Sequence, residues 1–205
     1  LGNNILSLAG NHLFLIALFT ALISVVLGMG VPVTASYIIT ATISAPLLVQ
    51  LDVPIMVAHM FAFFYAALSD ITPPVALAAM AAAGIAGAPV TKVGLTACRL
   101  GITGFLIPFF FLYNPVLLFG VQGSVGESFI ALITALIGVI ALASALSKWL
   151  FTKLNMIQMV LLLIGAFLMI EPNLIMSAIG LVLLVVVVIW QWASAKKATP
   201  ANLSA

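Results

Sequence analysis

From Phe129 to Leu146, and again from Leu174 to Trp192, the chain carries no charged residue. Runs of this kind decide the solvent before anything else. A helix needs about 20 apolar residues to cross the hydrocarbon core of a bilayer. Inside that core every backbone N–H and C=O must be satisfied within the chain, so only helices and closed barrels cross. These runs are continuous, not alternating, which excludes the strand pattern of a membrane barrel. The whole chain agrees with them. Of its 205 residues, 65% are hydrophobic and 5% charged, whereas soluble domains carry about a quarter charged residues. The expected fold class is an all-α integral membrane protein, a multi-span helical bundle.

Composition also closes several functional classes. Six basic residues, scattered along the chain, are too few for a phosphate-tracking patch, so no nucleic-acid partner is expected. Cys98 is the one cysteine, which leaves no internal disulfide and no cysteine-based metal site. His12 and His59 lie far apart and outside any metal-ligand spacing. No Gly-x-Ser-Gly nucleophile is present, and Asp70 has no second aspartate at membrane depth, so an intramembrane enzyme is not expected. No cofactor is implied.

The apolar runs differ along the chain. Those at 12–26, 33–49, 54–68 and 75–87 are short and broken by Gly and Pro, the pattern of hairpins and half-helices, while that at 95–113 reads as a following span. Pro46 is expected to turn the chain, and Pro108 to lie near the end of a span. The stretch "NPVLLFGVQGSVGES" is Gly-rich and reads as loop. Cleaner runs follow at 129–146, 156–170 and 174–192. The chain therefore divides into residues 1–120, read as transport machinery, 121–194, read as scaffold helices, and 195–205, read as a disordered tail. Lys92 and Arg99, Lys148 and Lys153, and Lys196 and Lys197 fall on alternate connections, while Glu127 and Glu171 occupy the others. This alternation places the basic connections and the C-terminus in the cytoplasm. Trp149, Trp190 and Trp192 stand at span ends as interfacial anchors. The opening "LGNNILSLAGNH" starts in mid-pattern, as expected of the C-terminal part of a longer polypeptide; a processed chain is the alternative.

Two stretches carry chemistry. In "SDITPP", Pro73 and Pro74 have no N–H to give and crowd the turn before them. Carbonyls between Leu68 and Ile71 are then expected to lack helical donors. With the Ser69 and Thr72 hydroxyls and the Asp70 carboxylate they form an oxygen-rich cluster of the kind Na⁺ takes as ligands. The half-helix that follows has a positive N-terminal end. The competing reading is a helix cap and turn in an exposed loop. In "GMGVPVTASYIITATISAP", Gly28, Gly30 and Pro32 break a helix, and Thr34 and Ser36 begin a hydroxyl-bearing one. That suits a re-entrant hairpin with a polar, glycine-rich tip. Against it stands an ordinary helix pair with Thr40, Thr42 and Ser44 as interhelical glue. His59 and Cys98 read as packing residues.

Residues 10 to 120, through the Gly-Met-Gly-x-Pro tip and the Asp-x-Thr-Pro-Pro-Val-Ala-Leu break, resemble the large membrane subunit of the tripartite ATP-independent periplasmic (TRAP) transporters. The likeness is greatest to the fused permeases that work with TAXI-type binding proteins. The resemblance implies a Na⁺-driven, elevator-type importer, of which this chain is the second half of an inverted repeat. Its partners would be a periplasmic solute-binding protein, the remaining N-terminal half of the permease, and the lipid bilayer of a bacterial or archaeal inner membrane. Gly28, Gly30, Pro32, Thr34 and Ser36 would form the hairpin side of the site, and Ser69, Asp70, Thr72, Pro73 and Pro74 the broken-helix side. The solute would be an organic anion, dicarboxylate-like or amino-acid-like. Proton coupling through Asp70 or His59, and a non-transporting assembly subunit, are the alternatives.

Overall fold

The computed structural model describes residues 12–171 and 173–198, without the side chains of 195–198. The described residues are helical with turns between, an all-α membrane bundle. The chain divides into two compact units, Leu1–Val121 and Gln122–Ala205.

The first unit begins with three helices that pack on one another: α1 (Leu13–Gly28), α2 (Val33–Val49) and α3 (Ile55–Leu68). Proline sets where two of them start. Pro32 and Pro54 are the N-caps of α2 and α3, each with φ −54°. A residue that cannot donate sits without loss where no helical bond is asked of it. Within the bundle, α1 buries Thr20, Ser24 and Gly28 at four-residue spacing, and α2 buries Ser36, Thr40 and Ser44 at the same spacing. Side chains four apart share a helix face. The two hydroxyl rows meet at Ser24 and Ser44, whose Oγ atoms are 3.0 Å apart. Deeper in, Ile16, Leu48, Val57 and Phe61 are fully buried. Phe61 stacks on Tyr65 at 4.9 Å between ring centroids and meets Phe109 edge-on at 5.5 Å.

The helical path then breaks. A 3₁₀ turn, Ser69–Ile71, continues α3, and the chain runs extended at Thr72 into the Pro73–Pro74 pair, whose peptide bond is cis. Helix α4 (Leu77–Ala86) follows and turns through 117° into α5 (Val90–Leu100). With 10 residues, α4 is about 15 Å long, half of what a span requires. After α5 come turns at 101–106 and the short α6 (Ile107–Tyr113).

Three sequence expectations are corrected here. The run 95–113 is not one span, because Gly101 packs against Ile71 and Gly104 lies near Leu68, which folds the chain back over the break. Pro108 accordingly opens α6 instead of closing a helix. Pro46 does not turn the chain but lies inside α2, which runs on to Val49. A missing N–H leaves one carbonyl of the preceding turn without its donor, which helix bundles in membranes tolerate.

The second unit holds α7 (Val125–Ser147), α8 (Met156–Ile170) and α9 (Leu174–Ala198). Capping boxes start two of them: Ser124 with Glu127, and Asn155 with Gln158. Helices α7 and α9 are long and apolar enough to cross a membrane. Close backbone approach joins the three. A methyl on Gly138 would meet the Ala166 carbonyl oxygen at 3.0 Å, and one on Gly180 would meet that of Gly165 at 2.9 Å. Small residues permit this, and dispersion between backbones is what holds helices together in lipid. At one end, the buried Gln191 donates from Nε2 to Gln158 Oε1 (2.6 Å) and accepts from the Thr152 hydroxyl at Oε1 (2.7 Å). The tail expected to be disordered from 195 is helical through Ala198; the remainder of that expectation, and the opening residues 1–11, lie outside the described residues.

Candidate functional site

The site is built where the tip of the α1–α2 hairpin meets the break after α3. Gly28 ends α1, and Gly30 makes the turn with φ +79°, a conformation that costs an L side chain strain. Ser36 lies one turn into α2 and is fully buried. A methyl on Gly28 would collide with the Ser36 hydroxyl and would stand 2.5 Å from Ser69 Oγ and 2.9 Å from Ser69 Cβ. Both hydroxyls therefore press on the bare Cα of one glycine. A methyl on Gly30 would meet Val75 Cγ1 at 3.2 Å. The glycines of "GMG" are thus the contact between hairpin and break. Pro32 and Thr34 stay at the exposed end of the hairpin.

The hydroxyl protons of the break point inward to the chain. Ser69 Oγ donates to the Ala66 carbonyl (2.6 Å), and Thr72 Oγ1 to the Leu68 carbonyl (2.7 Å). A hydroxyl that has given its one proton to a carbonyl presents only lone pairs to whatever lies on its other side. Such an oxygen suits a cation. Two further oxygens, Ser36 Oγ and Asp70 Oδ1, are buried without a hydrogen-bond partner. A buried oxygen left unpaired costs about 1–3 kcal/mol, and a bound cation would remove that cost.

The carbonyls are fewer than the sequence led one to expect. Thr72 donates its N–H to Ser69 O (3.1 Å) and its hydroxyl to Leu68 O, and the Cys98 thiol donates to Ile71 O (3.2 Å). The carbonyl that the two prolines leave without a helical donor, and that none of these groups reaches, is that of Asp70. The break is also covered from outside. Gly94 of α5 lies so close that a methyl there would meet Pro73 Cγ at 3.1 Å and Ala76 Cβ at 3.5 Å. Pro73 is half-buried, while Pro74 is exposed. Ala76, almost fully buried, carries φ +48° and caps α4 without a side-chain bond, leaving the first N–H groups of that helix facing the break.

Sequence reasoning missed the covering layer. Gly94, Cys98, Gly101 and Gly104 read singly as a small residue or a packing thiol. Their recurrence along one stretch, ending in a Gly-x-x-Gly, was the available signal. Tyr37 was missed as well: its hydroxyl pairs with His59 Nδ1 at 2.9 Å, joining α2 to α3. Of the expected interhelical hydroxyls, only Ser44 bridges helices; Thr40 and Thr42 donate to carbonyls of their own helix, Tyr37 O and Ile39 O.

Residues 1–122 match the family model described as tripartite ATP-independent periplasmic transporter, DctM component. Comparison with curated proteins and with solved structures gives no match.

Proposed function

Because the chain belongs to the tripartite ATP-independent periplasmic transporter family as a DctM component, a membrane permease subunit, we propose that it imports organic anions in symport with Na⁺. The observation that carries this reading is the meeting of Gly28, Ser36 and Ser69, with Asp70, the residue after Ser69, holding a buried carboxyl oxygen that has no partner. Hydroxyl oxygens with lone pairs free, one carboxylate and one carbonyl would make a site for a hard monovalent cation. The ion would bind the hairpin to the break and so complete the substrate-facing surface only when loaded. The positive end of α4 would then face the solute's carboxylate.

The ten residues expected at the site keep unequal parts in this reading. Gly28, Ser36, Ser69, Asp70 and Thr72 would form the ion site. Gly30 and Pro73 would set its geometry. Pro32, Thr34 and Pro74 would border the solute. A periplasmic binding protein would deliver dicarboxylate-like or amino-acid-like solutes, the N-terminal half of a fused, TAXI-type permease would complete the path, and the subunit would lie in the inner membrane with its C-terminus in the cytoplasm. The first unit would move as carrier and the second would serve as scaffold.

The test is uptake of radiolabelled dicarboxylates and amino acids into proteoliposomes, with the binding protein, under an inward Na⁺ gradient. Asp70→Asn and Thr72→Val are expected to raise the Na⁺ requirement. Uptake that ignores Na⁺ and follows a proton gradient would replace Na⁺ by H⁺ at Asp70. Unchanged uptake by Asp70→Ala would leave an assembly role.

A further inference from the structure

We propose that Cys98 is a positioning residue for the ion site, acting through the Ile71 carbonyl. The inference rests on the Na⁺ reading above and deepens it. The two prolines create the need. Ile71 ends the 3₁₀ turn; Pro74, three residues on, has no N–H, and the extended backbone at Thr72 carries Val75 out of helical register, so the continuing chain does not return a donor to the Ile71 carbonyl. An acceptor at that place would either bind the ion or draw in water. The thiol of Cys98 takes it instead, at 3.2 Å, from a different helix. The same helix is pinned to the break at a second point, where Gly94 closes on Pro73 and Ala76. Just beyond its end, Gly101 closes on Ile71 itself, 3.0 Å from a built Cβ to Ile71 Cδ1. Helix α5 thus holds the back of the break, and among the described residues the thiol ties it there by a hydrogen bond. Occupying the Ile71 carbonyl turns it away from the cation and leaves the Asp70 carbonyl and carboxylate to face it. Sulfur suits the task because the bond is weak and undemanding in direction. It satisfies the carbonyl without competing for the ion.

The test is equilibrium binding of radioactive Na⁺ to the purified chain in detergent, with Cys98→Ala, Cys98→Ser and, as a control on the same helix, Thr96→Ala. The Ala variant is expected to raise the half-saturating Na⁺ concentration about five-fold with the number of sites unchanged, an effect on the order of one lost hydrogen bond. The Ser variant keeps a donor and is expected within about two-fold of wild type, and Thr96→Ala at wild type. Equal shifts for Ala and Ser, or none for Ala, would overturn the positioning role while leaving Na⁺ binding standing. A wild-type chain that binds no Na⁺ would refute the Na⁺ reading and this inference with it. The S–H stretching band of this single cysteine, read by infrared on unaltered protein, is expected at its hydrogen-bonded position; a free-thiol band would overturn the tie whatever the variants do.

Discussion

Replacing Gly28 with alanine isolates the contact on which the site depends. Two effects oppose. Gly28 is helical, so alanine there gains up to about 1 kcal/mol of helix propensity. Its methyl, however, enters space already filled by Ser36 and Ser69. Ser36 Oγ has no bond to lose and can rotate away. Ser69 Oγ can rotate only by giving up its bond to Ala66 O, about 0.5–1.5 kcal/mol. Rotation does not help Ser69 Cβ, which stands 2.9 Å from the new methyl. Carbon atoms settle at about 3.5–4.0 Å, so the end of α1 and the break must part by roughly 0.6–1.1 Å. Overpacking of this kind costs about 1–3 kcal/mol. The net loss of stability is then about 0–2 kcal/mol if Ser69 keeps its bond and up to ~3.5 kcal/mol if it gives it up, and the separation falls between the two halves of the ion site. The assay pairs thermal unfolding in detergent with Na⁺ titration. Half-saturation is expected to rise about ten-fold, equivalent to ~1.4 kcal/mol, with a fall in melting set by the loss of stability. Gly84→Ala is the control, a helical glycine with nothing within 4 Å of a built Cβ, and is expected to leave Na⁺ binding alone. If Gly28→Ala binds Na⁺ like wild type, the hairpin and the break do not share an ion, and the site as drawn is refuted.

Further expectations follow from the same geometry. Gly94→Leu should drive α5 off Pro73 and lower the melting temperature more than Gly84→Leu, since a built Cβ already meets Pro73 Cγ at 3.1 Å at the first position and nothing at the second. Tyr37→Phe removes the partner of His59 Nδ1 and should destabilise the first unit by about 1 kcal/mol, read as a melting shift that His59→Phe added to Tyr37→Phe does not enlarge. In the second unit, Gln158→Leu and Gln191→Leu should each destabilise while the double variant costs less than their sum, with a coupling of about 0.5–1.5 kcal/mol in a double-mutant cycle.

How much of this was legible varies with the kind of signal. Helix ends marked by local chemistry were readable. The apolar run from 156 marks the start of α8 at Met156, and Pro32 begins α2 at Val33, because caps act within a few residues. The half-helix after Pro74 was readable for the same reason. The run from Leu95 to Tyr113 misled because apolarity is blind to direction: Gly101 and Gly104 turn the chain only because Ile71 and Leu68 lie beneath them. At the candidate site the residue types were legible and their partners were not. Nothing local says that Gly28 will meet Ser69, or that the Ile71 carbonyl will be met by a thiol from another helix. Those pairings are decided by packing across long separations in sequence.

The two hydroxyl rows inside the hairpin have a consequence for how it parts. Thr20, Ser24, Ser36, Thr40 and Ser44 are buried, uncharged and short. A seam closed by ion pairs would expose charge when opened to lipid, and a seam of leucines would resist wetting. Thr40 already donates to Tyr37 O of its own helix, and on opening Ser24 and Ser44 can exchange their mutual bond for carbonyls of theirs. Such a seam opens without exposing charge. The work of unzipping the hairpin then lies in the one Ser24–Ser44 bond and in lost packing spread over many small contacts, so the two helices can come apart and rejoin without a single step dominating the climb.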